Sequence, residues 1–134
     1  MLNYQHKELA GGRWFEFSLP EQLANVGSEI GRAINWKSAY AEASSYVKTS
    51  ADKSADKKAK VAKYSDNAFF RGLELLSLTI DDPKNKLRLK ELTRLYEALG
   101  DYFMGENIFQ SSDELWNKYF YFFNHLVRSQ NGKF

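Results

Sequence analysis

Between Val61 and Ile80 the residues Val61, Ala68, Phe69, Gly72, Leu75, Leu76, Thr79 and Ile80 recur at three- and four-residue steps. At about 100° per residue they fall on one broad face, which predicts a packed helix. The opposite side carries Lys63, Asp66, Asn67 and Glu74, but also Phe70 and Leu78. Apolar residues on a nominally wet side imply a second contact, inside a bundle or between chains. The run ends at Asp81-Asp82-Pro83. Asp82 is suited to capping the following helix with its carboxylate, and Pro83 to the first turn, where its missing N–H costs nothing. Beyond it Leu89, Leu92, Leu95, Tyr96, Leu99 and Phe103 share one face, while Lys86, Lys90, Arg94, Glu97 and Asp101 share the other. A turn this short makes the two helices antiparallel.

The flanking segments read the same way. Ser18-Leu19-Pro20-Glu21 has the form of a capping box, and Leu23, Val26, Ile30, Ala33, Ile34, Tyr40, Ala41 and Val47 keep helical spacing to about Lys48. Gly27 and Gly31 sit beside that face. They mark either a close helix approach or bend, or mere tolerance at an exposed site. Ser111-Ser112-Asp113-Glu114 is a second box, with Ser111 and Glu114 as its reciprocal pair. The helix it opens has Leu115, Trp116, Tyr119, Phe120, Phe122, Phe123, Leu126 and Val127 on its apolar face. Before the first box lies an arm, residues 1–17, whose Trp14, Phe15 and Phe17 are too bulky to stay in water and are expected to dock on the bundle. Residues 49–57, where Ser-Ala-Asp-Lys occurs twice in tandem, are expected to be a polar linker between helices, and residues 129–134 a frayed tail. The pattern predicts a single all-α domain over residues 1–134, an up-down four-helix bundle with an N-terminal docking arm.

Composition narrows the functional classes. Apolar residues make up 43% and aromatic ones 16%, which favours burial over disorder. The lack of cysteine rules out disulfides, thiolate metal ligands and cysteine nucleophiles. A net charge of +2 argues for neither nucleic acid nor an anionic membrane. The residues after Met1 do not resemble a signal peptide, and no stretch suits a bilayer span, so a cytoplasmic protein with no membrane partner is expected.

Catalytic constellations are not evident. His125 has Phe122 three residues before it and His6 lies in the arm, so the Glu-x-x-His pairs of bundle metal sites are missing. We expect no catalytic residue, no metal and no cofactor, and His125 reads as a surface histidine. Tyr64, Asn67, Arg71 and Glu74 climb one stripe, with Arg71 able to pair with Glu74, as a buried register-setting network or the floor of a small-ligand pocket. Lys84, Lys86, Lys90 and Arg94 form a basic ridge suited to phosphate contacts. Glu97 and Asp101 continue that face, so a solvated, salt-bridged surface is the better reading.

Several segments resemble a family of small bacterial all-helical proteins with no assigned activity. They are Tyr4-Gln5-His6-Lys7-Glu8-Leu9-Ala10, Gly12-Arg13-Trp14, Ala24-Asn25-Val26-Gly27-Ser28-Glu29, Arg71-Gly72-Leu73-Glu74-Leu75-Leu76, Asp82-Pro83-Lys84-Asn85 and Ser111-Ser112-Asp113-Glu114-Leu115-Trp116 with Lys118-Tyr119-Phe120. The similarity spans most of the chain outside Lys48–Lys60, implies a bacterial cytoplasmic origin, and supplies no catalytic residue. The expectation is therefore a non-catalytic protein-interaction module that self-associates, with Phe70, Leu78, Trp14 and Phe15 as interface candidates. A nucleic-acid accessory bundle using the Lys84–Arg94 ridge, and a small-ligand binder near Tyr64, Arg71 and Glu74, are the alternatives.

Overall fold

A computed structural model describes residues 12–45 and 51–131, with side chains at 12–42 and 56–129. A 3-10 turn at Arg13–Glu16 leads into α1 (Leu19–Ser45), followed by α2 (Ala51–Asp81), a second 3-10 segment (Pro83–Arg88), α3 (Leu89–Met104) and α4 (Asp113–Asn131). Among the described residues there is no strand, and the chain is an all-α bundle. α1 and α2 form the central pair; α3 packs chiefly on α2, and α4 on α1.

The first capping box forms as its sequence implies. The Ser18 N–H donates to Glu21 Oε1 at 3.1 Å, and the Glu21 N–H donates to Ser18 Oγ at 3.3 Å. From there Leu23, Val26, Ile30, Ala33 and Ile34 of α1 close over Ala68, Phe69, Leu75 and Leu76 of α2. Two glycines set how near the helices come. A Cβ on Gly72 would lie 2.9 Å from Ile30 Cδ1, and one on Gly27 would lie 2.6 Å from Phe120 Cβ. Gly27 therefore answers to a close approach between α1 and α4, whereas Gly31 has nothing within 4 Å and tolerates a side chain sterically.

Several boundaries differ from expectation. Helix α2 begins at Ala51, so most of the 49–57 linker is already helical; residues 46–50 lie outside the described residues. Alanines, lysines and aspartates are acceptable inside a helix when no apolar face is demanded of them, so a stretch without core residues need not be a loop. Of the expected tail, residues 129–131 continue α4, and 132–134 lie outside the described residues. So do residues 1–11 of the arm, and Val47. Asp82 does act as a cap, its Oδ1 accepting the Lys84 N–H at 3.1 Å, but the element it caps is the Pro83–Arg88 3-10 segment. The second capping box shifts by one residue: helix α4 starts at Asp113, and Ser112 Oγ accepts the Leu115 N–H at 3.1 Å.

The described part of the arm docks as expected. Trp14 is 1% exposed within the main core, and Phe15 and Phe17 pack against it. Its indole N–H donates to Thr79 Oγ1 at 3.1 Å, and Thr79 Oγ1 donates in turn to the Leu75 carbonyl at 2.8 Å. The Gln22 amide donates to the Trp14 carbonyl at 3.1 Å and to Asp82 Oδ2 at 2.9 Å. The Asn85 amide donates to Gln22 Oε1 and to the Thr79 carbonyl, both at 2.9 Å. Lys84 Nζ closes the group from outside, donating to the Phe15 carbonyl at 3.1 Å and pairing with Asp82. Burial pushes the Asp82 carboxyl up, but the hydrogen bonds from Lys84 and Gln22 outweigh it, and its pKa falls below the ordinary 3.8. This clasp ties the arm, the start of α1 and the turn after α2 into one unit.

Candidate interaction surface

The polar stripe of α2 is built differently from the pairing its spacing suggested. Arg71 reaches across to α1, its Nε 3.0 Å from Glu29 Oε2, and the same carboxylate takes Arg32 at 2.8 Å. Glu29 is buried on the core face, so two cations serve one desolvated anion and lock the register of α1 against α2. Tyr64 is exposed and lies against Trp36, ring centroids 4.9 Å apart, while Asn67 and Glu74 are half-buried. None of the four lines the cavities found among the described residues. The nearby hollow of about 180 Å³ is instead lined by Lys37, Tyr40, Ala62, Ser65, Asp66 and Phe103.

The interface candidates divide. Trp14 and Leu78 are buried within the chain and cannot meet another molecule; Phe15 is half-buried against the core. Phe70 is 44% exposed, its ring 5.4 Å from Phe69, and stays available. Leu78 lies inward because α3 folds back over the far flank of α2, so a residue off the first apolar face is covered by a third helix. Phe122 and Leu115 fail the opposite way. Placed on the buried face by spacing, both are exposed, because α4 packs chiefly on α1 and its apolar face is wider than that contact.

The basic ridge is also rearranged. All four are exposed, but Lys84 is tied to the clasp through the Phe15 carbonyl and Asp82. Residues 83–88 are 3-10, which advances about 120° per residue, so Lys86 loses the α-helical phase that set it above Lys90. Lys90 and Arg94 instead line an open groove of about 440 Å³ with Leu87, Arg88 and Glu91. Arg88 pairs with Glu91 at 3.3 Å. Lys90, Arg94 and Glu97 form no ion pair within the described residues, which departs from the salt-bridged surface expected. Leu87, on the groove wall, is 97% exposed.

At the other end of α3 the chain makes an ordered loop. Asp101 stands in the last turn, where the helix dipole disfavours an acid. Its carboxylate captures two backbone amides, the N–H of Ile108 at 2.9 Å and of Phe109 at 3.0 Å, while its carbonyl accepts from Gly105 and Asn107. The Asn107 side chain then brackets Ser111, accepting its N–H at 2.8 Å and donating to its carbonyl at 3.0 Å. Asn107 and Gln110 both take left-handed backbone angles, φ 56° and 55°. Such angles cost a non-glycine residue free energy, and the side-chain hydrogen bonds offset it. The loop holds Ile108 at 75% and Phe109 at 55% exposure, and Met104, at the end of α3, is exposed as well.

Between α3 and α4 lies an apolar cleft of about 280 Å³, lined by Leu95, Ala98, Leu115, Trp116 and Tyr119, with Glu91 and Arg94 at its rim. The Trp116 indole N–H is buried and meets no acceptor among the described residues. Burial, reinforced by the Glu91 charge, pushes the Tyr119 phenol up to about 12. Burial likewise raises Tyr102 to about 12, helped by its hydrogen bond to Asp113, a residue that also faces Lys37 of α1 at 3.8 Å. This Tyr102–Asp113–Lys37 group joins α1, α3 and α4 on the near side of the cleft. His125 is exposed and stacks on Tyr121, centroids 6.4 Å apart. Among the described residues no group of three or more His, Asp or Glu side chains is placed to hold a metal ion, and no helix is long and apolar enough to cross a membrane.

Sequence reasoning missed Gln22, Glu29, Asn85, Asp101 and Asn107. Gln22 and Glu29 left a trace: they fall at the seven-residue spacing on the stripe that also holds Val26, Ile30 and Ala33, polar residues in core positions. Asp101 left a weaker one, an acid where the dipole opposes it. Comparison with family models, curated proteins and solved structures gives no match, so the resemblance noted from the sequence carries no family assignment.

Proposed function

We propose that this chain is a non-catalytic helical-bundle module that works by docking another protein through the α3 end of the bundle. One observation carries the reading: the Asp101 and Asn107 side chains hold a strained loop in place, and that loop turns Ile108 and Phe109 out to water. Ordering a loop costs entropy, and exposing two large apolar side chains from it gains nothing for the isolated chain. A partner that covers them recovers both, because the contact surface is already in its bound shape. The up-down helix order, self-association, the cytoplasmic setting and the non-catalytic character belong to the same proposal and rest on the sequence reading. The nucleic-acid alternative is weakened by the pairing of Lys84 with Asp82, and the small-ligand alternative by the engagement of Arg71 with Glu29 and of Tyr64 with Trp36.

The test is affinity capture from the native host with the wild type and with Ile108→Ser/Phe109→Ser. A partner that the wild type retains and the double variant loses, while both melt alike, is the expected result. Capture that is indifferent to the two substitutions overturns the reading.

A further inference from the structure

The charges around α3 are sorted by end. From Lys86 to Arg94 there are four bases, Lys86, Arg88, Lys90 and Arg94, against the single acid Glu91. From Asp101 to Glu114 there are four acids, Asp101, Glu106, Asp113 and Glu114, and no base. The apolar side chains are sorted in complementary shapes. The basic end is hollow, the groove of about 440 Å³ walled by Leu87. The acidic end is a projection, the Ile108–Phe109 loop anchored on Asp101. Both belong to the outward face, since Lys90, Arg94, Glu97 and Asp101 follow helical spacing opposite the buried Leu92, Leu95 and Leu99.

We propose that a second copy of this chain docks antiparallel on that face, each copy's Ile108–Phe109 loop entering the groove beside Leu87 and Lys90 of the other. This rests on the reading of the chain as a docking module and names its partner. The groove is lined around Lys90, and Ile108 and Phe109 are held on Asp101, eleven residues further along the helix. At 1.5 Å per residue their midpoint, between Arg94 and Glu97, is about 8 Å from either. A twofold axis passing there superposes loop on groove twice over, the self-complementary arrangement of a closed dimer. It also sets Arg94 facing Glu97 of the other copy, and Lys90 facing the acidic loop end with Asp101 and Glu106. A parallel pairing would oppose like charges at both ends and leave both loops uncovered. Among the described residues Lys90, Arg94 and Glu97 form no ion pair, which is what such an arrangement requires.

The experiment is light scattering over a concentration series at low and moderate salt. The chain's mass is 15.5 kDa, and the expected species at low salt is twice that, dissociating as salt screens the rim pairs. Lys90→Glu and Glu106→Lys, each alone, place like charges face to face and should raise the dissociation constant by roughly tenfold or more. Mixed in equal amounts they restore both opposite-charge pairs, and the dimer should return to within about threefold of the wild-type constant. Circular dichroism melts matching the wild type confirm that both variants fold. A wild type that is monomeric throughout, a dimer that neither variant weakens, or a mixture that does not reassociate overturns the proposal. A monomer that still captures a different protein through Phe109 leaves the docking module standing and removes only the twofold partner; a monomer that captures nothing removes both.

Discussion

The clasp around Trp14 and the loop after α3 are built from the same parts and used in opposite directions. In each, an acid and an amide side chain collect backbone and side-chain donors: Asp82 with Gln22 and Asn85 in one, Asp101 with Asn107 in the other. The clasp turns its aromatic residue inward, Trp14, and the Trp14 indole, Thr79 hydroxyl and Gln22 amide all meet partners in the interior. The loop turns Ile108 and Phe109 outward. The difference teaches what wired polar groups achieve. Around a buried ring they convert burial into a unique docking geometry for the arm; beneath exposed apolar side chains they fix the shape of a surface loop.

Substitutions that break one region should leave the other intact. The largest effect is expected from Trp14→Ala, which removes a buried indole and the N–H that Thr79 Oγ1 accepts. It should cost about 3–5 kcal/mol in urea unfolding, and the arm should become cleavable by protease before the helices do. Next in size, Asn107→Ala removes both brackets on Ser111 and the residue type best suited to the left-handed angle. A loss of about 1–2 kcal/mol is expected, with amide exchange accelerating at residues 105–112 and not in the clasp.

The acid response separates the two regions further. The folded-state pKa of Asp82 is depressed, so its contribution is complete above the ordinary 3.8 and drains away as the pH falls through that value toward the lower one. Asp82→Asn should be less stable than wild type at neutral pH yet lose less between about pH 6 and pH 3. An unchanged acid slope in the variant would show that the clasp is not what acid dissolves. The smallest effect belongs to Ile108→Ser/Phe109→Ser. Both side chains face water, and stability should stay within about 0.5 kcal/mol of wild type. A marked destabilisation would mean the loop residues serve the fold, and the contrast between the two regions would disappear.

Helical periodicity was enough to find the four helices, the Ser18–Glu21 cap, the Asp82 cap and the inward face of α1 as far as Ile34, because each is set by residues within a turn or two of one another. Tyr40 and Ala41, given to the same face by spacing, are exposed. Gln22 and Glu29 were legible in part, as polar residues interrupting an apolar stripe. Their partners were not, since Asp82 and Arg71 lie 60 and 42 residues away. Spacing also misplaced Leu78 and Phe122, because how wide a helix face becomes buried depends on which neighbours arrive to cover it.

The chain alone determined that this protein is helical, that α1 begins just after Ser18, and roughly where the other helices run. Only the tertiary structure decided that Lys84 is spent in the clasp, that Arg71 answers Glu29, and that the residues after Met104 form a held projection instead of a slack connection. The physical reason is range. Periodicity and capping act over a few residues and are written locally, whereas a polar group's partner is whatever the folded chain brings within about 3 Å, and no local pattern encodes that.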